Sequence, residues 1–96
     1  MEKYERHAEI CKELNQLYRD KNAAYGDSFG VTFRELGIMS AVTRLSDKYH
    51  RVVALARGVE NRIKDESLID TLRDMSNYAL MTIIELERMG VENEKD

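Results

Sequence analysis

Two short stretches of this sequence carry residue types that handle phosphate and divalent cations. The first reads Arg44-Leu45-Ser46-Asp47-Lys48-Tyr49-His50-Arg51. The second reads Glu66-Ser67-Leu68-Ile69-Asp70-Thr71-Leu72-Arg73-Asp74-Met75-Ser76-Asn77-Tyr78. Residues three or four apart on a helix share a face. One face therefore presents Arg44, Asp47, Lys48 and Arg51, and another presents Glu66, Asp70, Asp74 and Asn77. Basic side chains bind phosphate oxygens, and Arg can grip them with two parallel bonds. Arg44, Lys48 and Arg51 are thus candidate phosphate ligands. Mg²⁺ takes oxygen ligands and commonly uses one or two carboxylates plus substrate phosphates. Asp70 and Asp74, with Glu66 a turn earlier, are candidate metal ligands, and Asp47 either orients an Arg or joins the metal shell. The same spacing also describes solvated faces, with Arg73 and Lys64 pairing the acidic stripe and Asp47 pairing Arg44 or Arg51.

Other residues narrow the chemistry. Tyr25 and Phe29 flank Gly26-Asp27-Ser28, a loop type that can stack a base and touch a phosphate, or simply anchor a turn. Asn77 and Tyr78 could read a base or sugar, while a packed ring with a bonded hydroxyl is the plainer role for Tyr78. No phosphate-loop motif, HExxH or CxxC is present, so neither a P-loop nor a zinc site is expected. Cys11 falls on the apolar stripe of the first helix and reads as a small core residue.

The elements that must position these residues are helices. Of 96 residues, none is proline, five are glycine and 34% are charged, which favours long helices and short connections in a single domain over 1–96. The net charge of −3 argues against binding a nucleic acid polymer. A single cysteine makes no intrachain disulfide and suits a reducing compartment. No apolar run of about 18 residues exists, so no membrane association is expected. Cytoplasmic placement follows.

Periodicity predicts three helices, over 1–21, 32–57 and 67–89, with 90–96 frayed. The first carries an apolar stripe at Tyr4, His7, Ile10, Cys11, Leu14, Leu17 and Tyr18, and 22–30 reads as a turn. Thr32-Phe33-Arg34-Glu35 has the form of a capping box for the second, although Gly37 allows a break there. Ile38, Val42, Leu45, Tyr49, Val52 and Ala56 form its expected core face. Val59–Asp65 is a charged connection. The third helix has its main stripe at Leu68, Leu72, Met75, Ala79, Ile83 and Leu86, and Ile69, Leu80, Met81 and Ile84 widen it. A helix apolar on several sides is buried on several sides, so a second copy of the chain is expected, in a dimer or tetramer.

Three blocks taken together carry a resemblance: Lys21-Asn22-x-x-Tyr25-Gly26-Asp27-Ser28-Phe29, Arg44-x-x-Asp47-Lys48-x-x-Arg51, and Glu66-Ser67-x-x-Asp70-Thr71-Leu72-x-Asp74-x-x-Asn77-Tyr78-Ala79. They resemble a family of phages and their hosts known as the nucleotide modification associated domain. That family is similar in turn to the all-α nucleoside triphosphate pyrophosphatases of the MazG and dimeric dUTPase group. The resemblance implies an oligomeric all-α bundle in which Asp47 faces Glu66, Asp70 and Asp74 around Mg²⁺, with Asp47, Asp70 and Asp74 catalytic. Lys21 would join Arg44, Lys48 and Arg51 on the phosphates. Tyr25, Asp27, Asn77 and Tyr78 would contact base or sugar. The MazG signature has a doubled Glu on its first metal-binding helix, where this chain has Asp47 followed by Lys48. Three functions therefore stand as expectations: Mg²⁺-dependent pyrophosphohydrolysis of a nucleoside triphosphate, sequestration of a nucleotide or nucleotide-derived signal without cleavage, and a purely structural helical partner.

Overall fold

The computed structural model describes residues 1–58 and 67–90. Glu66, Lys64, the connection Val59–Asp65 and the tail beyond Gly90 lie outside the described residues. The architecture is all-α, and the described residues form four helices: α1 (Lys3–Tyr25), α2 (Ser28–Leu36), α3 (Ile38–Ala56) and α4 (Leu68–Arg88). Among the described residues there is no strand and no helix long and apolar enough to cross a membrane.

The boundaries follow from glycine and caps, and three features differ from the sequence expectation. α1 does not stop near Lys21. Asn22, Ala23 and Ala24 continue it until Gly26, whose φ of 72° only glycine adopts readily and whose N–H donates to the Asn22 carbonyl at 2.8 Å. Nor does the next helix start at Thr32. Asp27 caps α2 instead, its Oδ1 accepting the Gly30 N–H at 3.2 Å. Asp is a strong N-cap, and starting four residues earlier places Thr32 inside the helix, so its box with Glu35 is not used. The expected single helix over 32–57 is divided at Gly37 (φ 80°), whose N–H closes α2 on the Phe33 carbonyl at 2.7 Å. Its own carbonyl opens α3 by accepting from Ser40 N–H and Oγ at 3.1 and 2.8 Å. α4 begins as expected at Ser67, whose Oγ accepts the Asp70 N–H at 3.0 Å while Asp70 Oδ2 accepts from Ser67 Oγ at 2.8 Å.

α4 is the element on which the others converge. Lys48 on α3 meets Asp74 near the start of α4, while Arg34, just before α3, meets Glu85 near its end, so α3 and α4 run antiparallel. α1 crosses α4 around Arg73–Asn77, through Glu13–Arg73, Lys21–Asp74 and the Asn77 Nδ2 donation to the Leu14 carbonyl at 3.1 Å.

Burial departs from the expected stripes. Among the described residues the buried apolar ones are Leu14, Phe33 and Ala41, and the buried polar ones are Thr71, Asn77, Thr82 and Glu85, all on α4. Each has a partner. Thr71 and Thr82 donate to the carbonyls of Ser67 and Tyr78 one turn back, at 2.9 and 2.6 Å. Glu85 accepts from Arg34 at 3.3 Å. Meanwhile Leu72 (43% exposed), Leu80 (48%) and Ile83 (51%) face outward on α4. On α3 the exposed Ile38, Val42 and Tyr49 likewise lie off the buried face, which holds Ala41 and the half-buried Leu45, Lys48 and Leu55. Cys11 is exposed, not a core residue, because it edges an open groove between α1 and α4. Of the four buried polar residues of α4, Asn77 and Glu85 bond to α1 and α2, while the two threonines bond carbonyls one turn back along their own helix.

Candidate functional site

The end of α1, the turn into α2, the middle of α3 and the centre of α4 enclose a cavity of about 160 Å³. Extending α1 to Tyr25 makes its first wall: Tyr18, Lys21, Asn22 and Tyr25 fall at helical spacing on the side facing the cavity. The turn Gly26-Asp27-Ser28 forms the rim, and Phe29 a second wall. Phe29 is held by rings on both sides, 6.4 Å from Phe33 in the core and 5.9 Å from Tyr78 on α4. α3 contributes Arg44, and α4 contributes Asp74, Asn77, Tyr78 and Met81.

Asp27 does two jobs at the rim. It caps α2, and its Oδ2 lies 3.7 Å from Arg34, which in turn reaches the buried Glu85. The rim is thereby tied to α4 from outside the cavity. Gly30 allows this cap, because a Cβ there would collide with the Asp27 carboxylate.

Charge on the walls is organised around Asp74. Its Oδ1 accepts from Lys21 Nζ at 3.2 Å and its Oδ2 lies 3.3 Å from Lys48 Nζ, so one carboxylate joins α1, α3 and α4. Arg44 stands on the cavity wall one turn before Lys48, exposed and with no carboxylate partner among the described residues.

The residues singled out from sequence are distributed as follows. Tyr25, Asp27, Asn77 and Tyr78 line this one cavity, together with Lys21, Arg44 and Asp74. Lys48 stands behind Asp74. Arg51 lies half-buried further along α3 and does not line the cavity. Asn77 has its amide turned to α1, donating to the Leu14 carbonyl. Of the described carboxylates expected to hold Mg²⁺, Asp74 alone faces the cavity. Asp47 is exposed on α3. Asp70 is taken up in the α4 cap, and the hydrogen bonds from Ser67, with help from Arg73, hold its carboxyl below its ordinary value. Glu66 lies outside the described residues.

As they stand, the described carboxylates do not form a Mg²⁺ site by themselves. Both Asp74 oxygens face ammonium groups, Asp70 faces Ser67 and Arg73, and among the described residues no three His, Cys, Asp or Glu side chains group as a metal site. Tyr18, Asn22 and Met81 also line the cavity and are not among the residues the sequence singled out for it. The spacing of Tyr18, Lys21, Asn22 and Tyr25 was a usable signal, hidden by ending the first helix too early.

Residues 21–86, well over half of the chain, match the family described as Nucleotide modification associated domain 1. The chain belongs to this family. Every cavity-lining residue except Tyr18 lies within the matched segment. No curated protein and no solved structure matches the chain.

Proposed function

We propose that this member of the Nucleotide modification associated domain 1 family binds a nucleotide in the cavity between α1 and α4. The observation that carries the reading is the meeting of two kinds of wall in one cavity: the cations Lys21 and Arg44, with Lys48 behind Asp74, and the rings of Tyr25, Phe29 and Tyr78. Cations of this kind take phosphate oxygens, Arg by paired bonds. Aromatic faces take a base by stacking, which is tolerant of which base it is. Asn22 supplies an amide for base or sugar edges.

The test is a calorimetric titration with nucleoside mono-, di- and triphosphates and with cyclic dinucleotides, in EDTA, on the wild type and Arg44→Glu. The reading expects saturable binding by the wild type and a loss of at least tenfold in the variant. Equal binding by both would refute it. Chromatography of the recovered nucleotide then separates sequestration from turnover.

A second reading, Mg²⁺-dependent pyrophosphohydrolysis of the MazG type, is favoured by one observation: Asp74 lies on the same cavity as the basic wall. It requires Asp74 to leave its lysines and to be joined by Glu66. Release of monophosphate only when Mg²⁺ is present would establish it.

The same proposal includes a second copy of the chain. Nucleotide pockets commonly occupy about 300–1,000 Å³, so a cavity of about 160 Å³ leaves part of the ligand outside it. A groove between α1 and α4 adjoins the cavity through Tyr18, Asn77 and Met81, and its outer edge carries the exposed Leu80, Ile83 and Ile84. Apolar side chains at this helical spacing suit a helix of a second copy.

A further inference from the structure

Asp74 is treated in opposite ways by the two readings above, and its surroundings decide how it can act. Its two oxygens each face one ammonium, Lys21 Nζ at 3.2 Å and Lys48 Nζ at 3.3 Å. The lysines come from α1 and α3, so the arrangement is not a by-product of spacing along one helix. The side chain keeps 24% of its surface exposed, which gives it a way out. Arg44, one turn before Lys48, has no carboxylate partner among the described residues and lies on the same wall.

We propose that Asp74 holds the place of a ligand phosphate. A carboxylate with each oxygen on a different cation reproduces the grip that two lysines would have on a terminal phosphate. When the ligand enters, phosphate oxygens take the two ammonium groups, Asp74 turns outward, and Arg44 takes the neighbouring phosphate. No bond is made or broken in this exchange, and it needs no metal. Its energetics select a ligand class. A phosphodiester carries one negative charge, as Asp74 does, and gains little by replacing it. A terminal phosphate carries roughly −1.5 to −2 at neutral pH and displaces a single carboxylate charge with a net gain. The ligand class is therefore a nucleoside di- or triphosphate in preference to a cyclic dinucleotide. This inference rests on the nucleotide-binding reading and opposes the use of Asp74 as a metal ligand.

The experiment compares wild type, Asp74→Asn, Asp74→Glu and Arg44→Glu, each titrated in EDTA with inorganic tripolyphosphate and with a nucleoside diphosphate. Circular dichroism confirms that each variant is helical. Asp74→Asn removes a like charge a few ångströms from the phosphate, so both probes should bind about tenfold tighter or more. Asp74→Glu keeps the charge and should bind within a few-fold of wild type. Unchanged or weaker binding by Asp74→Asn overturns the stand-in role. If that happens while the wild type binds and Arg44→Glu does not, the nucleotide reading survives and only the stand-in falls. If neither the wild type nor Asp74→Asn binds either probe, both fall.

Discussion

Asn77→Asp should destabilise the protein by about 2–3 kcal/mol. The substitution keeps the shape and exchanges the amide NH₂ for an oxygen. Asn77 is 9% exposed, and its Nδ2 donates to the Leu14 carbonyl at 3.1 Å. In the variant two oxygens face each other at that distance. The lost bond and the unsatisfied buried groups cost about 1–3 kcal/mol, and holding a carboxylate in a mostly buried place adds to it. The other polar links from α1 to α4 cannot compensate. Glu13–Arg73 and Lys21–Asp74 are exposed on at least one side, and such pairs contribute about 0–1 kcal/mol each. A 96-residue domain has a total stability of about 5–14 kcal/mol, so the loss is a large fraction. Urea unfolding followed by far-ultraviolet circular dichroism measures it directly. A thermal scan should show a fall on the order of 10–20 °C. Lys12→Gln, exposed on α1 and outside both the cavity and the groove, serves as the control and should stay within about 0.5 kcal/mol of wild type. Because α1 carries Tyr18, Lys21, Asn22 and Tyr25 to the cavity, nucleotide binding should weaken together with stability. A variant as stable as wild type that has lost only nucleotide binding would refute this reasoning. It would make Asn77 a reader of the ligand instead of the tie between helices.

Two further outcomes follow from the same geometry. Hydrogen bonds from Ser67 hold the Asp70 carboxyl below its ordinary 3.8, so its contribution to stability is present above that value and is lost as pH falls through the lowered one. The stability difference between wild type and Asp70→Asn, from urea unfolding across acid pH, should be constant near neutrality and shrink on acidification; a difference independent of pH would show that the α4 cap does not depend on this charge. The exposed Leu80, Ile83 and Ile84 predict self-association: sedimentation should find a dimer or larger species, and Leu80→Glu with Ile84→Asp should shift it toward monomer without loss of helicity. A wild type that is monomeric at all concentrations would remove the second copy.

The all-α class, the stop at Gly58, the Ser67 start of α4 and most of the cavity's residue types are legible in the sequence. They rest on local physics: glycine at positive φ, side-chain caps and helical spacing act within a few residues. The choice between competing local signals was less legible. Thr32 with Glu35 and Asp27 with Gly30 both read as helix starts, and the one that wins also ties the rim to Glu85 through Arg34. Which side of α4 turns inward was not legible at all. Its apolar residues run around several sides, so periodicity marks no single inner face, and burial goes to Thr71, Asn77, Thr82 and Glu85, of which Asn77 and Glu85 find partners on other helices that spacing along α4 does not show. The same holds for Asp74. Its spacing from Asp70 suggested a shared cation, but its partners are Lys21 and Lys48, distant in sequence and brought to it only when α1 and α3 pack against α4. Sequence spacing determines which side chains share a helix face; what that face meets depends on contacts between helices, and these the tertiary structure alone decides.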